Sequence, residues 1–356
     1  MNTRRRIGRY VGRFFLVVGT LIFVCVANLA AMMAMFCKGP SKTARDLFAT
    51  TFLETGQMKF VVSLFMNEEE IAEAISRNSL VSMEQELNTQ LIQIRNLPDE
   101  KVPLEQTMQE DIVIEEITGR TFFAKMMMIK NPEKVFVGTT YPWTEYGKKL
   151  DEIVTMHDGI AGVNGGLYIS EGNTGGIPCG LVVSKGEILS NRCQGIAGLY
   201  LIGFNEDNVL IIKKLAGYTN QEIEQLVKEE RIRDAICFQE ETSDVNNHFV
   251  PLILNGEARQ SDGLGSGANP RTAIGQKADG TVLILVTDGR GASGHLGATA
   301  TDLIQIMQEY GAVNAANIDG GSSSSMYYQD AYEMTSVTFY YANSSWRLPT
   351  AFVVAK

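Results

Sequence analysis

Cysteine and histidine are scarce. The 356-residue chain has five cysteines and three histidines. No CxxC pair and no Cys/His metal-ligand spacing occurs, which argues against a structural zinc site. A Cys179–Cys193 disulfide is open if the body lies outside the cell, but separate buried thiols are the favoured reading. Positive charge is also short, with 31 basic against 41 acidic residues and a formal net charge of -10. Five of the basic residues (Arg4, Arg5, Arg6, Arg9 and Arg13) fall in the first 13 positions, where there is no acid. The rest of the chain is therefore more acidic than the total suggests. Such a body repels a phosphate backbone, so nucleic acid is not an expected partner. A phosphorylated substrate would need a local cluster of donors set against that field. No internal repeat is visible.

What the chain does have is apolar content. Hydrophobic residues make up 45% and charged residues 20%, enough to bury a core in one large or two modest domains. Phe14 to Cys37 contains no charged residue. At about 1.5 Å per residue a helix of that length crosses a hydrocarbon core of roughly 30 Å. The preceding arginines place the N-terminus in the cytoplasm and the remainder across the membrane. A cleaved signal peptide normally has a shorter apolar region and a small-x-small cleavage site, and Leu29 and Met32 spoil the obvious frames. The expected layout is a basic tail (1–13), a single-pass anchor (14–37), a helical stalk and linker (38–110) and a catalytic domain (111–356).

Residues 41–80 have helical periodicity, with Ser41 and Asn67 as helix starts. Residues 82–110 are polar, rich in Gln and Glu and punctuated by Pro98 and Pro103, which predicts a linker. From Asp111 onward hairpin patterns dominate: Ile112–Ile117 with Thr121–Ile129, Gly180–Ser184 with Glu187–Leu189, and Leu199–Phe204 with Val209–Lys213. Helices are predicted over Lys148–His157, from Thr219 to about Asp234, and over Ala300–Tyr310. His157 reads as a packing or capping residue. The pattern predicts an α+β fold: a mixed, largely antiparallel sheet with packed helices, preceded by a transmembrane helix and helical stalk.

Four polar, glycine-rich segments sit where strands should end. They are Asn164-Gly165-Gly166, Asn255-Gly256, a segment from Asn269 through Arg271 to Asp288-Gly289-Arg290, and Asp319-Gly320-Gly321-Ser322. Each alone is ordinary turn chemistry. Together they supply backbone N–H groups that can approach an anion, with Asn, Arg and Asp beside them. Asp288 and Asp319 each follow an apolar strand, and desolvation there raises a carboxyl pKa. Two carboxylates in unequal surroundings suffice for acid–base or nucleophilic glycoside chemistry. Arg271 and Arg290 bracket the strand Thr281–Thr287 and are candidate phosphate clamps; a salt bridge is the competing use of either. Asp279 is read as a turn residue. The loop Gly291–Gly297 precedes a capping box at Thr299 and holds His295, a weaker candidate for proton donor because loop histidines are often merely exposed.

These segments, in this order, resemble the phosphodiester glycosidase family. The resemblance runs from about Ala161 to the C-terminus and is most specific in Thr287-Asp288-Gly289-Arg290 and in Asn317–Met326. It implies an active site of Asn164, Asn255, Arg271, Asp288, Arg290, Asp319, Gly320 and Gly321, with Gly165, Gly166, Gly256 and Ser322 in the same segments. Leu167-Tyr168 stands where relatives commonly have an aromatic pair. Ser322 replaces a third glycine and adds a hydroxyl donor.

The resemblance implies hydrolysis of a glycosyl phosphodiester, with a glycan or sugar-phosphodiester substrate in cell-envelope or exopolysaccharide metabolism. Two other readings stay open. Two carboxylates with asparagine oxygens suit Ca²⁺ or Mg²⁺, which fits a metal-dependent phosphodiesterase. A non-catalytic envelope-polymer binding or assembly protein would not need both acids.

Overall fold

The computed structural model describes residues 2–55, 59–94, 111–169, 171–243, 246–336 and 343–356. Part of the expected linker, 95–110, lies outside the described residues. Helix α1 (Asn2–Lys38) carries the apolar run, and Arg9–Lys38 is long and apolar enough to cross a membrane. Length and composition fit a membrane span or a signal sequence alike.

Three short helices follow: α2 (Lys42–Leu53), α3 (Phe60–Ser63) and α4 (Glu68–Ser76). Ser41 caps α2, and an Asn67/Glu70 capping box opens α4. Cys37, Ala49, Val62, Met66 and Ala74 form a small core among them. This arm is packed on the body rather than standing off it. Val81 N donates to Gln260 O at 2.9 Å, Asn88 N to Asn255 Oδ1 at 2.7 Å and Gln93 N to Ala278 O at 2.8 Å.

The body is α+β and its sheets are antiparallel, as the hairpin pattern predicts. A seven-stranded sheet has the order β1-β2-β17-β16-β18-β14-β15. Its strands are Ile112–Thr118 (β1), Phe123–Ile129 (β2), Val282–Thr287 (β17), Thr272–Lys277 (β16), Ala312–Asn317 (β18), Pro251–Leu254 (β14) and Glu257–Ala258 (β15). A five-stranded sheet has the order β20-β19-β4-β21-β3: Ala331–Thr335, Ser325–Tyr328, Gly159–Asn164, Thr350–Ala355 and Val135–Thr139. A second five-stranded sheet has the order β10-β9-β11-β7-β8: Leu210–Lys214, Leu199–Asn205, Ile232–Gln239, Gly180–Ser184 and Glu187–Arg192. Two-stranded ribbons are made by Tyr168–Ile169 (β5) with Ile177–Pro178 (β6), and by Glu241–Ser243 (β12) with Asn246–His248 (β13).

All three large sheets contribute to one core, where Phe204 and Phe352 meet edge to face at 6.3 Å. The outer faces are covered by helices α5 (Leu150–Met156), α6 (Asn220–Glu229) and α7 (Ala300–Glu309). Leu303, Ile304 and Met307 on α7 pack against the seven-stranded sheet, and burial of each contributes roughly 1.5–3 kcal/mol. The helix expected to reach Asp234 stops at Glu229. Arg231 has φ +52°, and Ile232–Gln239 is a strand paired with β9. Sheet pairing of that apolar run overrides helical periodicity. All five cysteines are free thiols, with Cys193 and Cys237 buried.

Candidate active site

Strand β16 is antiparallel to both of its neighbours, β17 and β18. The two neighbours are therefore parallel to each other and end at the same sheet edge. Arg271 pairs with Thr287 on one side, and Thr272 receives Ile318 N on the other. Asp288 and Asp319 thus emerge about 10 Å apart, two strand spacings, with Arg271 between them. The end of β4 reaches the same place from the second sheet, because Asn164 Nδ2 donates to Asp319 O at 2.6 Å.

Asp319 follows β18 and is half-buried. Burial pushes its carboxyl up to about 6, against hydrogen bonds from Ser323 and Gly320 N and the charge of Arg290. The geometry of this loop requires glycines. Gly321 has φ +62°, and a Cβ on it would lie 2.8 Å from Arg290 Nη2. Arg290 itself has φ +55° and donates from Nη1 to Ser322 Oγ at 2.8 Å. The residue is exposed, yet partial desolvation lowers its pKa; Arg271 acts in the same direction and Asp319 opposes.

Asp288 is buried. Its Oδ1 accepts from Phe123 N at 2.7 Å, and its Oδ2 lies 2.6 Å from His295 Nδ1. A carboxylate at that nitrogen fixes the Nδ1–H tautomer and leaves Nε2 as a base. The loop is closed by Arg290 N donating to Leu296 O and Gly291 N to His295 O.

The other expected residues have different surroundings. Asn164 is wholly buried, and its Oδ1 accepts from Thr272 Oγ1 and Ser325 N. It holds strand ends together. Gly165 and Gly166 are threaded where a Cβ would strike Thr350 Oγ1 or Cys237 O, both at 2.4 Å. Arg271 is buried in an ion pair with Glu54, and its guanidinium lies 5.0 Å from the Phe249 ring centroid. The salt-bridge use of this arginine is therefore realised. Asn255 and Gly256 are elsewhere: Asn255 N donates to Asn314 Oδ1 and Gly256 N to Val313 O, at the opposite end of β18 from Asp319. Five residues of strand, about 16 Å, separate that turn from the cleft. Asn255 serves the arm instead, donating from Nδ2 to Glu86 O. Asp279 is a turn residue, its Oδ1 accepting from Thr281 N.

Several neighbours of the site carried little or no sequence signal. Tyr168 OH lies 2.8 Å from Ser323 Oγ, and burial, with Asp319 adding, raises its pKa. Cys179 is half-buried and feels both Arg192 and Asp319. As for Ca²⁺ or Mg²⁺, among the described residues no group of three or more His, Cys, Asp or Glu side chains gathers in a metal-binding arrangement. The oxygens of Asp288 and Asn164 are already engaged. Among the described residues the donors for such an ion are not gathered here.

A family model described as phosphodiester glycosidase matches residues 157–355. The SPbeta prophage-derived uncharacterized protein YomE of Bacillus subtilis (strain 168) is 45% identical over 56 residues, which span 16% of this chain and 8% of that protein. Among solved structures, the catalytic domain of zebrafish N-acetylglucosamine-1-phosphodiester alpha-N-acetylglucosaminidase, auto-inhibited by its pro-peptide, aligns with a TM-score of 0.49 and 17% identity, over 69% of this chain and 82% of that one. A hypothetical protein from Synechocystis aligns with a TM-score of 0.43 and 16% identity, over 68% and 61%.

Proposed function

Because the chain belongs to the phosphodiester glycosidase family, we propose that it hydrolyses a sugar-1-phosphate diester, with its catalytic unit held outside the cytoplasm by α1. The observation that carries this reading is the placement of half-buried Asp319 beside Arg290, at the same sheet edge as the Asp288–His295 pair. Asp319 takes or gives a proton near neutral pH, where a carboxyl pKa of about 6 is well matched to the task. His295 Nε2, oriented through Nδ1 by Asp288, is the second acid–base group. Arg290 and the Ser322 hydroxyl would face the phosphate.

In the reaction water adds to the anomeric carbon and the bond from that carbon to the phosphate oxygen breaks. The electron pair leaves with the phosphate, and the base takes the water proton. The products are a free sugar and a phosphomonoester. The five N-terminal arginines before the apolar run support a cytoplasmic N-terminus. An envelope or exopolysaccharide diester is the substrate class this placement favours.

The test is product analysis of the full chain in detergent, incubated with UDP-sugars and a panel of sugar phosphodiesters. Free sugar supports glycosidic cleavage. A sugar phosphate would instead mean P–O cleavage, and no turnover across the panel would favour a binding protein.

A further inference from the structure

The segment Ser266–Arg271 is a wedge between the two aspartate loops. On one side Pro270 Cδ would lie 3.0 Å from a Cβ on Gly289, next to Asp288, and a Cβ on Gly297 would strike the Asn269 backbone. On the other side Pro270 O accepts from Gly321 N at 2.8 Å and would lie 3.0 Å from a Cβ on Gly320, next to Asp319. The wedge therefore touches the glycine that follows each acid.

The wedge is gripped by the N-terminal arm. Glu54, just past the end of α2, has a side chain 4% exposed. Its Oε1 accepts from Gly267 N at 2.6 Å, and its Oε2 accepts from Asn269 Nδ2 at 3.2 Å and from the Arg271 guanidinium. Thr51 Oγ1 accepts from Ala268 N at 3.0 Å. Gly267 lies so close to the arm that a Cβ on it would be 2.5 Å from the Thr51 backbone. Two arm side chains thus hold three consecutive backbone or side-chain groups of the wedge, and Arg271 as well.

We propose that Glu54 is a positioning residue for the active site. It fixes the wedge and, through Pro270, the spacing of the Asp288 and Asp319 loops, while its charge offsets that of Arg271. This rests on the catalytic reading of the two aspartates. A buried ion pair can also be simple glue, and two properties separate the roles. The first is loop mobility at a distance from Glu54. The second is charge. Arg271 acts on Arg290 and on His248, which Glu54, Glu241 and Lys59 also influence. Asp319 is faced in turn by Arg290, Tyr168 and Cys179. With the carboxylate of Glu54 removed, Arg271 adds an unbalanced positive charge to this group, and ionised Asp319 is favoured.

The experiment uses the full chain in detergent with Glu54→Gln and Glu54→Asp. Amide hydrogen exchange is read without substrate; kcat, KM and the pH–rate profile are read with the diester the wild type hydrolyses. In Glu54→Gln the amides of 266–269, 271, 289–291 and 320–322 should exchange faster by about tenfold or more. Its kcat should fall about 10–100-fold with a smaller change in KM, and the limb assigned to Asp319 should move to lower pH. Glu54→Asp should recover part of kcat, and it carries the test if the Gln variant does not fold. Unchanged exchange in all three loops overturns the proposal. So does faster exchange with wild-type kcat and an unmoved limb, which leaves Glu54 as glue. A wild type inert on every diester defeats the functional reading alone, because the exchange result still decides whether Glu54 holds the wedge.

Discussion

Asp288 and His295 are seven residues apart in sequence, and their side chains meet at 2.6 Å between Oδ2 and Nδ1. The carboxylate is itself pinned by Phe123 N at 2.7 Å, so the imidazole is aimed from a fixed point. That arrangement makes the tautomer of His295 depend on the charge of Asp288.

The first prediction follows from that dependence. In Asp288→Asn the introduced amide can donate to Nδ1, which moves the proton to Nε2 and removes the free base. Asp288→Asn and His295→Ala should each lower kcat by about 10²–10⁴. Because the two act as a unit, the double variant should be little worse than either single. Multiplying losses in steady-state kinetics would show that the pair does not act as one.

Much of this site was legible, and the limits have physical causes. The apolar runs ending at Asp288 and Asp319 marked strand ends, and antiparallel β16 brings both ends to one edge. The Asn255-Gly256 turn looked the same in sequence, because Asn-Gly chemistry serves either end of a strand. Only the pairing of β14 with β18 shows that it lies at the far end. Glu54 gave no local signal at all, since its partner Arg271 is 217 positions away. The fold class could be read from hairpin spacing. The end of α6 could not, because the apolar run Ile232–Gln239 is compatible with either period until β9 pairs with it.

The second prediction concerns Asp319, whose pKa is raised from 3.8 to about 6. The pH–rate profile should have a limb near that value, and Asp319→Asn should abolish it. The stability effect has a definite sign. A folded-state pKa above the unfolded one contributes stability that is present below the unfolded value and lost as pH rises through the folded one. At about pH 8 the ionised wild-type side chain costs roughly 1–3 kcal/mol. Asp319→Asn should therefore raise Tm at pH 8 and change it little at about pH 4. A lowered Tm at pH 8 would contradict the burial argument.

The third prediction is topological. Arg4, Arg5 and Arg6 precede the span Arg9–Lys38, and Arg9 and Arg13 lie in its first turns, a bias that predicts a cytoplasmic N-terminus. Protease added to intact cells should degrade the body and spare an N-terminal tag. The chain should require detergent for release from membranes. Recovery of the intact protein in the soluble cytoplasmic fraction would exclude an anchor.

The last prediction separates the two arginines, which the sequence presented as a matched clamp. Arg271 is buried against Glu54, Ser266 Oγ and Gly267 O, and stacks on Phe249. Removing one partner of such a pair strands the other charge, and typically costs about 3–5 kcal/mol. Arg271→Ala should therefore appear first as a large fall in Tm. Arg290 has a hydroxyl partner, Ser322, and already sits in surroundings that disfavour its charge. Arg290→Ala should leave Tm nearly unchanged and raise KM for a diester, because an exposed cation beside Asp319 is free to meet a phosphate. Lysine should restore neither fully. At position 271 it cannot reproduce several directed hydrogen bonds, and at 290 it lacks the planar fork that meets two phosphate oxygens at once. Thermal melts and steady-state kinetics on the same four variants decide the matter. A KM effect confined to Arg271, with stability lost only at Arg290, would reverse the assignment.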